Sequence, residues 1–471
     1  MAAVVSELRR NPVPAPWILA VGVLAVGVAL ITGFGIWVLA LAILVPTTIA
    51  VQARPQRGII LFSALLPFDG IIRALGPAWT APWKQVFILG LLALTFFCPA
   101  DARAQVKRKL PGWTLAFAGL VAMGLVSALR VDTTTALVGL RLSFFSAFLG
   151  LVVWRCPFNR RERDHLVTAF ILLAIVTSIV GLWQQAVGHE YLRTLGYEYG
   201  DHLRFTSGFT LRSISTFNLP FPFGFYLMLA ILIALPMSLA DPKRLRSKIF
   251  FVSLPLLAAG LLFSFVRGAM LGLAIGLLYL AFHRYKVLVY GIPLVLLATL
   301  FIPTGAAVGN ALFSTKSFQD RTFSWSDRID FFADAPLGTG IGTTGAAAEK
   351  AAELNFQDPD TTYVPDSSWL KILFELGVFG LWLFVVMLMS ILVFARNVER
   401  RCRGIDRDLM NGIVAQLLAI MTAALVATYF ELAPMDQLFW VMLGVAATIE
   451  PELAPGAPIA GEGARALDAG L

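Results

Sequence analysis

Residues 219–240 read LPFPFGFYLMLAILIALPMSLA, and residues 243–248, just beyond, read KRLRSK. The first stretch has no charged side chain over the roughly 20 residues an α-helix needs to cross a bilayer's hydrocarbon. The second is a cluster of Lys and Arg of the kind that stays on the cytoplasmic side. Together they predict a membrane span with a direction: out at Leu219, in at Lys243. The same pairing of apolar stretch and basic gap recurs along the chain.

Working outward, apolar stretches fall near 16–32, 35–52, 58–75, 82–100, 113–129, 133–154, 165–188, 249–265, 267–283, 287–303, 367–395, 410–431 and 435–450. With 219–240 this predicts an all-α, polytopic integral membrane helix bundle of about fourteen transmembrane helices, or twelve to fourteen where short or interrupted stretches are read differently. Only 14% of residues are charged and the mean hydropathy is +0.78, against roughly a quarter charged in a soluble domain.

The basic gaps are 54–57, 103–109, 155–163, 243–248, 284–286 and 396–407. Fourteen spans put all of them on one side, together with Arg9, Arg10 and both termini, which predicts a multi-pass membrane protein with both ends on the cytoplasmic side. The net charge of +8 and the pI near 9.5 then report membrane orientation. The bilayer is the expected partner and nucleic acid is not. The first apolar stretch follows a basic start without a small-residue cleavage site and is expected to be retained. Cys98, Cys156 and Cys402 fall near the reducing face, so no disulfide is expected. The four histidines, His165, His189, His202 and His283, have no zinc-like spacing, and neither metal nor cofactor is expected.

Residues 1–450 read as a single membrane domain and 451–471, rich in Ala, Gly and Pro, as a disordered cytoplasmic tail. Two outer loops, about 189–218 and 304–366, are long enough to carry function. In the second, Arg321, Trp325, Arg328 and Phe332 recur at helical spacing, and so do Asp320, Asp327 and Asp334. This predicts a short helix at the outer surface, either a cover for the bundle or part of a site.

The outer side has no nucleotide supply, so a reaction there needs a substrate activated beforehand, such as a lipid-linked diphosphate. Arginine grips a diphosphate through paired N–H donors. Arg267 stands in Phe263-Ser264-Phe265-Val266-Arg267-Gly268-Ala269, a tight joint between two apolar stretches. It reads as a cation snorkelling to the headgroups or as one held for an anion, with Gly268 and Ala269 permitting close approach. Arg204 and Arg212 lead into the stretch that opens at Pro220, with Asn218 as a candidate N-cap and Pro220 in the first turn. A helix start there adds positive potential, although a merely capped helix with solvated arginines fits the same residues. Gly338-Thr339-Gly340-Ile341-Gly342 follows no strand and lacks the dinucleotide spacing; it reads as a flexible bend. Asp366 reads as an N-cap or as a carboxylate that takes a proton from an attacking hydroxyl. Glu375, inside the same stretch, needs a partner, for which an outer arginine is the candidate.

Taken in order, four segments resemble the O-antigen ligase and O-antigen polymerase superfamily: Arg212 through Pro220; Ser264 through Ala269; Trp325 through Gly342 with Pro336-Leu337-Gly338-Thr339-Gly340; and Asp366 through Gly377, ending Phe374-Glu375-Leu376-Gly377. The resemblance covers roughly 200–450. It implies a metal-independent glycosyltransferase that takes a glycan from undecaprenyl diphosphate at the outer face, without a cofactor. Ligases similar to this pattern carry His-Asn where this chain has Asp366-Ser367, which favours a polymerase of exopolysaccharide, capsule or O-antigen acting on the next lipid-linked repeat unit. Ser215 stands where the family usually has glycine. On this resemblance Arg212, Arg267, Arg321, Arg328 and Arg204 are expected to hold the diphosphate, Arg267 and Asp366 to be catalytic, and Glu375 and Asn218 to support them. A chain-length regulator and a flippase are the expected protein partners. Ligase-type transfer to another acceptor is the alternative, and a flippase or transporter of lipid-linked oligosaccharide is a rival of a different class.

Overall fold

The computed structural model describes residues 54–75, 82–97, 110–194, 211–289, 336–358, 362–365 and 367–449. The regular elements among them are helices: α1 Pro55–Leu65, α2 Asp69–Leu75, α3 Trp83–Phe97, α4 Trp113–Ala128, α5 Thr133–Phe144, α6 Ala147–Arg155, α7 Arg160–Thr194, α8 Pro220–Ala240, α9 Leu245–Ser264, α10 Arg267–His283, α11 Gly345–Leu354, α12 Ser368–Arg401, α13 Gly404–Ala423 and α14 Met435–Ile449. The protein is a polytopic membrane helix bundle. Four helices (α7, α8, α9 and α12) are long and apolar enough to cross a bilayer by themselves, and α5 with α6, bent by 45°, forms either a broken fifth span or a re-entrant loop. Helices α3, α4, α10 and α14 are shorter and apolar. The expected spans at 16–32 and 35–52, and nearly all of 287–303, lie outside the described residues; the others each coincide with a helix or a helix pair.

An uncharged helix that is apolar all round has no face that needs water, so it belongs in the middle of a bundle. Helix α8 is buried along almost its whole length and packs against α7, α9, α10 and α13. Small residues let the backbones close up. A β-carbon at Gly276 would lie 2.6 Å from the Leu232 side chain, and one at Gly412 would lie 3.0 Å from the Leu232 carbonyl oxygen. Gln416 adds a bond from Nε2 to the Leu229 carbonyl (3.0 Å). Leu115, Val252, Phe379 and Trp382 point outward and are exposed, as expected of a surface that faces lipid.

The basic gaps meet at one end of the bundle. Arg54 pairs with Glu162 (3.2 Å), Arg163 with Asp406 (3.2 Å), Arg244 with Asp164 (2.6 Å) and Arg284 with Asp408 (3.2 Å). These contacts join five of the predicted gaps to one another; the gap at 103–109 lies outside the described residues.

Several expectations are corrected. The stretch 58–75 is two helices joined by a 3-10 turn at Leu66–Phe68. Helix α7 continues through the expected loop start to Thr194, with left-handed Gly188 (φ 76°) breaking it. Helix α12 reaches Arg401 but is broken at Gly377 (φ 67°). Helix α13 stops at Ala423, so 424–428 is irregular before a short turn at Tyr429–Glu431. Asn218 is not the N-cap of α8: that position is Leu219, which makes no side-chain capping bond, though Pro220 does occupy the first turn as expected. The tail and the helix expected around Arg321–Phe332 lie outside the described residues.

Candidate functional site

At the end away from the basic gaps, the segment Leu211–Leu219 threads between helices without being helical itself. Gln184 of α7 holds it. Gln184 Oε1 accepts from Ile214 N (3.1 Å) and Ser215 N (2.7 Å), while its Nε2 donates to the Ser215 carbonyl (2.8 Å). Gln185 donates to the Leu211 carbonyl (2.8 Å), and Ser213 Oγ to the Gly181 carbonyl (2.7 Å). Ser213 N also donates to the Phe263 carbonyl (2.9 Å), and Thr216 Oγ1 to the Pro67 carbonyl (2.6 Å). Gly70 lies directly against the Phe217 backbone. The polar backbone groups of an irregular segment packed between helices need such partners.

Ser215 has φ 56°, the left-handed conformation that glycine adopts freely and other residues resist. Its Oγ donates to the Thr177 carbonyl (2.6 Å), which helps to hold it there. The serine thus holds a backbone shape that glycine would adopt without strain.

Arg212 emerges half-buried, with its guanidinium 5.1 Å from the Phe221 ring centroid. Its Nε is buried with no hydrogen-bond partner among the described residues. Burial first, and then the positive charge of Arg267, push the Arg212 guanidinium down to about 10. Two cations are therefore held near each other, one of them poorly solvated, an arrangement that an anion would relieve. Arg267 opens α10 directly after the turn at Phe265 (φ 52°), which ends α9. Neither α8 nor α10 has a side-chain cap, so both helix starts turn the positive ends of their dipoles to this end, although Pro220 and Pro222 of α8 carry no N–H. The space beside Gly268 is taken by Phe225 of α8 and by Val426 of the irregular stretch after α13, so the expected close approach is by neighbouring protein segments.

Helix α12 starts close by. Its N-cap is Ser367, whose Oγ accepts from Trp369 N (3.2 Å) and donates to the Ala424 carbonyl (3.1 Å). Ser367, and not Asp366, therefore caps the helix. Asp366 itself lies outside the described residues, as do Arg204, Arg321 and Arg328. Ser368 N bonds the carbonyls of Ala424 (3.0 Å) and Ala427 (3.1 Å). The neighbour of Asp366 and the neighbour of Arg267 thus lie against the same irregular stretch after α13.

Among the described residues, Glu375 does not pair with an arginine. Its partner is Lys371, one helical turn earlier, which also meets Glu431 (3.0 Å). The Lys371, Glu375 and Glu431 side chains are 5%, 1% and 4% exposed. Glu375 accepts from Thr344 N (3.2 Å) and Oγ1 (3.1 Å), and Glu431 from Ala346 N (3.2 Å), so both carboxylates sit at the start of α11. Carboxylates there complement the helix dipole. A small apolar cavity lies over this cluster, with Lys371, Glu431 and Asp436 among its lining residues.

The segment Pro336–Thr344 is a packed crossing, not a flexible bend. Thr339 N bonds the Phe374 carbonyl (2.8 Å) and Gly340 N the Glu375 carbonyl (3.0 Å). Arg130 donates to the Leu337 carbonyl (3.3 Å), and Ile341 N bonds Ser127 Oγ (3.1 Å). The PLGTG and FELG motifs are therefore one structural unit.

Some buried polar contacts were not anticipated. Asp69 binds Lys84 (2.8 Å) and the Trp83 indole (2.9 Å), and Ser146 donates to Asp436. Gln184 and Gln185 carried a readable signal as paired amides within an apolar stretch. Lys371 and Glu375 carried another in their i, i+4 spacing. Nothing local pointed to Glu431.

No curated protein matches the chain. Residues 251–385 match the O-antigen ligase family model. That range contains Arg267, the PLGTG segment and the Phe374–Gly377 break, and leaves Arg212 outside. Over that range the chain is similar to the O-antigen ligases, a match that supports a place in the O-antigen ligase and polymerase superfamily.

Proposed function

We propose that this protein is a polysaccharide polymerase, passing a glycan from undecaprenyl diphosphate to the next lipid-linked repeat unit at the outer face of the membrane. The observation that carries this is the pairing of Arg212 with Arg267 at two uncapped helix starts. The acceptor hydroxyl attacks the anomeric carbon, the bond from that carbon to the diphosphate oxygen breaks, and the diphosphate leaves with the electron pair. Negative charge grows on the leaving group, so preorganised cations beside it lower the barrier. Asp366 takes the hydroxyl proton, and Arg204, Arg321 and Arg328 complete the grip on the diphosphate. Ser367, capping α12, fixes the backbone beside Asp366. The Lys371–Glu375–Glu431 cluster supports the site by fixing the PLGTG crossing and α11 in place.

Asp366-Ser367 in place of His-Asn favours the polymerase over the ligase. The test is purified protein reconstituted with lipid-linked repeat units, without nucleotide and with a chelator present. A ladder of products is expected. One transfer to a different lipid acceptor and no ladder would instead indicate a ligase. Movement of the lipid-linked unit between leaflets without bond formation would indicate a flippase.

A further inference from the structure

The end with the basic gaps holds a cavity of about 570 Å³ where α7, α9 and α13 begin. That volume lies within the range of small-ligand pockets, roughly 300–1,000 Å³. Five arginines and two aspartates line it. Both aspartates are already shared: Asp406 between Arg160 and Arg163 (3.2 Å each), Asp164 between Arg244 (2.6 Å) and Arg246 (2.5 Å). No carboxylate among the described residues pairs with the remaining two, Arg161 and Arg403. Arg246, which bonds Asp164, is buried and keeps an Nε without a partner among the described residues.

The backbone adds to the same field. Helices α9 and α13 begin at this cavity with Arg244 and Arg403 as N-caps, and neither start has a side-chain capping bond. Their free N–H groups and the positive ends of their dipoles favour an anion. One part of the wall is apolar, formed by Met237, Ile405 and Leu409. Paired guanidinium forks, open helix starts and an apolar flank suit a phosphate group attached to something greasy.

We infer that this cavity is a binding site for a phosphate-bearing anion, separate from the site of glycan transfer. The phosphate is that of an anionic phospholipid headgroup or of a soluble phosphate, and the chemistry of recognition is the same for both.

The test uses the full-length protein in detergent and reads its melting temperature against added phosphatidylglycerol, phosphatidylcholine or pyrophosphate. For the wild type a saturable rise with phosphatidylglycerol and none with phosphatidylcholine is expected. The Arg161→Gln/Arg403→Gln variant should need about tenfold more phosphatidylglycerol or beyond, since each surface cation contributes appreciably to such binding. Lys243→Gln/Lys248→Gln removes two cations of the same face outside the cavity and should leave the titration unchanged. Pyrophosphate producing the same rise, lost in the same variant, would identify a soluble phosphate as a sufficient ligand; a rise with phosphatidylglycerol alone would assign the headgroup. Arg212 and Arg267 are intact in every variant, so binding at the other end cannot create the difference. Should the double variant fail to fold, Arg161→Gln alone serves, because that side chain is exposed. The proposal is overturned by no saturable rise with either anion, by equal titrations of wild type and cavity variant, or by an equal loss in the lysine variant.

Discussion

Gly377 lies so close to Pro336 that a β-carbon on it would stand 2.2 Å from the Pro336 carbonyl oxygen. The contact holds the break in α12 against the PLGTG crossing. Gly377→Ala must both force a left-handed alanine and move a backbone. It should cost about 3 kcal/mol or more and abolish glycan transfer. Gly404→Ala is the comparison, with φ 56° and open space around it, and should cost only about 1 kcal/mol. Melting temperatures of the two variants in detergent check the difference; equal losses would remove the special role of the Gly377 contact.

Arg212 and Arg267 should separate activity from stability. Arg267→Gln and Arg212→Gln are each expected to slow reconstituted transfer about 100-fold or more, as loss of one charge-stabilising donor does. Arg212→Lys should not restore the rate, because a point charge does not reproduce the planar fork.

The same pair makes a prediction about pH. Arg212 is pushed down to about 10 by burial and by Arg267. The folded protein thus releases this proton before the unfolded chain does. The penalty of the charged form is fully present below pH about 10 and fades as pH rises from there toward the ordinary arginine value. At neutral pH, Arg212→Gln should therefore melt at or above the wild-type temperature. A clear drop would mean that the cation is held by a partner within the fold and is not waiting for an anion.

Lys371 stands between two buried carboxylates. Lys371→Met alone leaves both without their cation and should destabilise by about 3–5 kcal/mol. Adding Glu375→Gln and Glu431→Gln should recover part of that loss. Additive losses in the thermal melts would show that the three side chains do not act as one cluster.

Ser215 keeps a glycine's backbone, so Ser215→Gly should fold and retain transfer, with stability changed by about 1 kcal/mol or less as strain relief offsets the lost Thr177 bond. Ser215→Val should fail on both counts, since a β-branched residue resists φ 56°. Activity and melting temperature of the two variants together check this.

Much of the architecture was readable along the chain. Residues 219–240 advertise a buried helix by lacking any charge, and α8 is one. The gaps at 155–163, 243–248 and 396–407 advertise a common side, and Arg163, Arg244 and Asp406 meet there in ion pairs. Pro220 marked a helix start correctly because its ring presets the backbone of a first turn. Asn218 and Asp366 misled because several residues before a helix can serve as caps, and only the approach of neighbouring segments selects one. Ser367 has the Ala424 carbonyl to bind, and the Phe217–Asn218 backbone is pressed against Gly70.

Which stretches form long apolar helices and which basic gaps gather at one end were legible in the sequence itself, because the cost of moving a side chain into hydrocarbon belongs to that residue and its near neighbours. The tertiary structure alone decided that Glu375 answers to Lys371 and Glu431, that Gln184 shapes the loop presenting Arg212, and that Arg212 and Arg267 share one end. Those pairings join residues far apart in the chain, and their energy exists only after the helices have packed at particular depths and rotations.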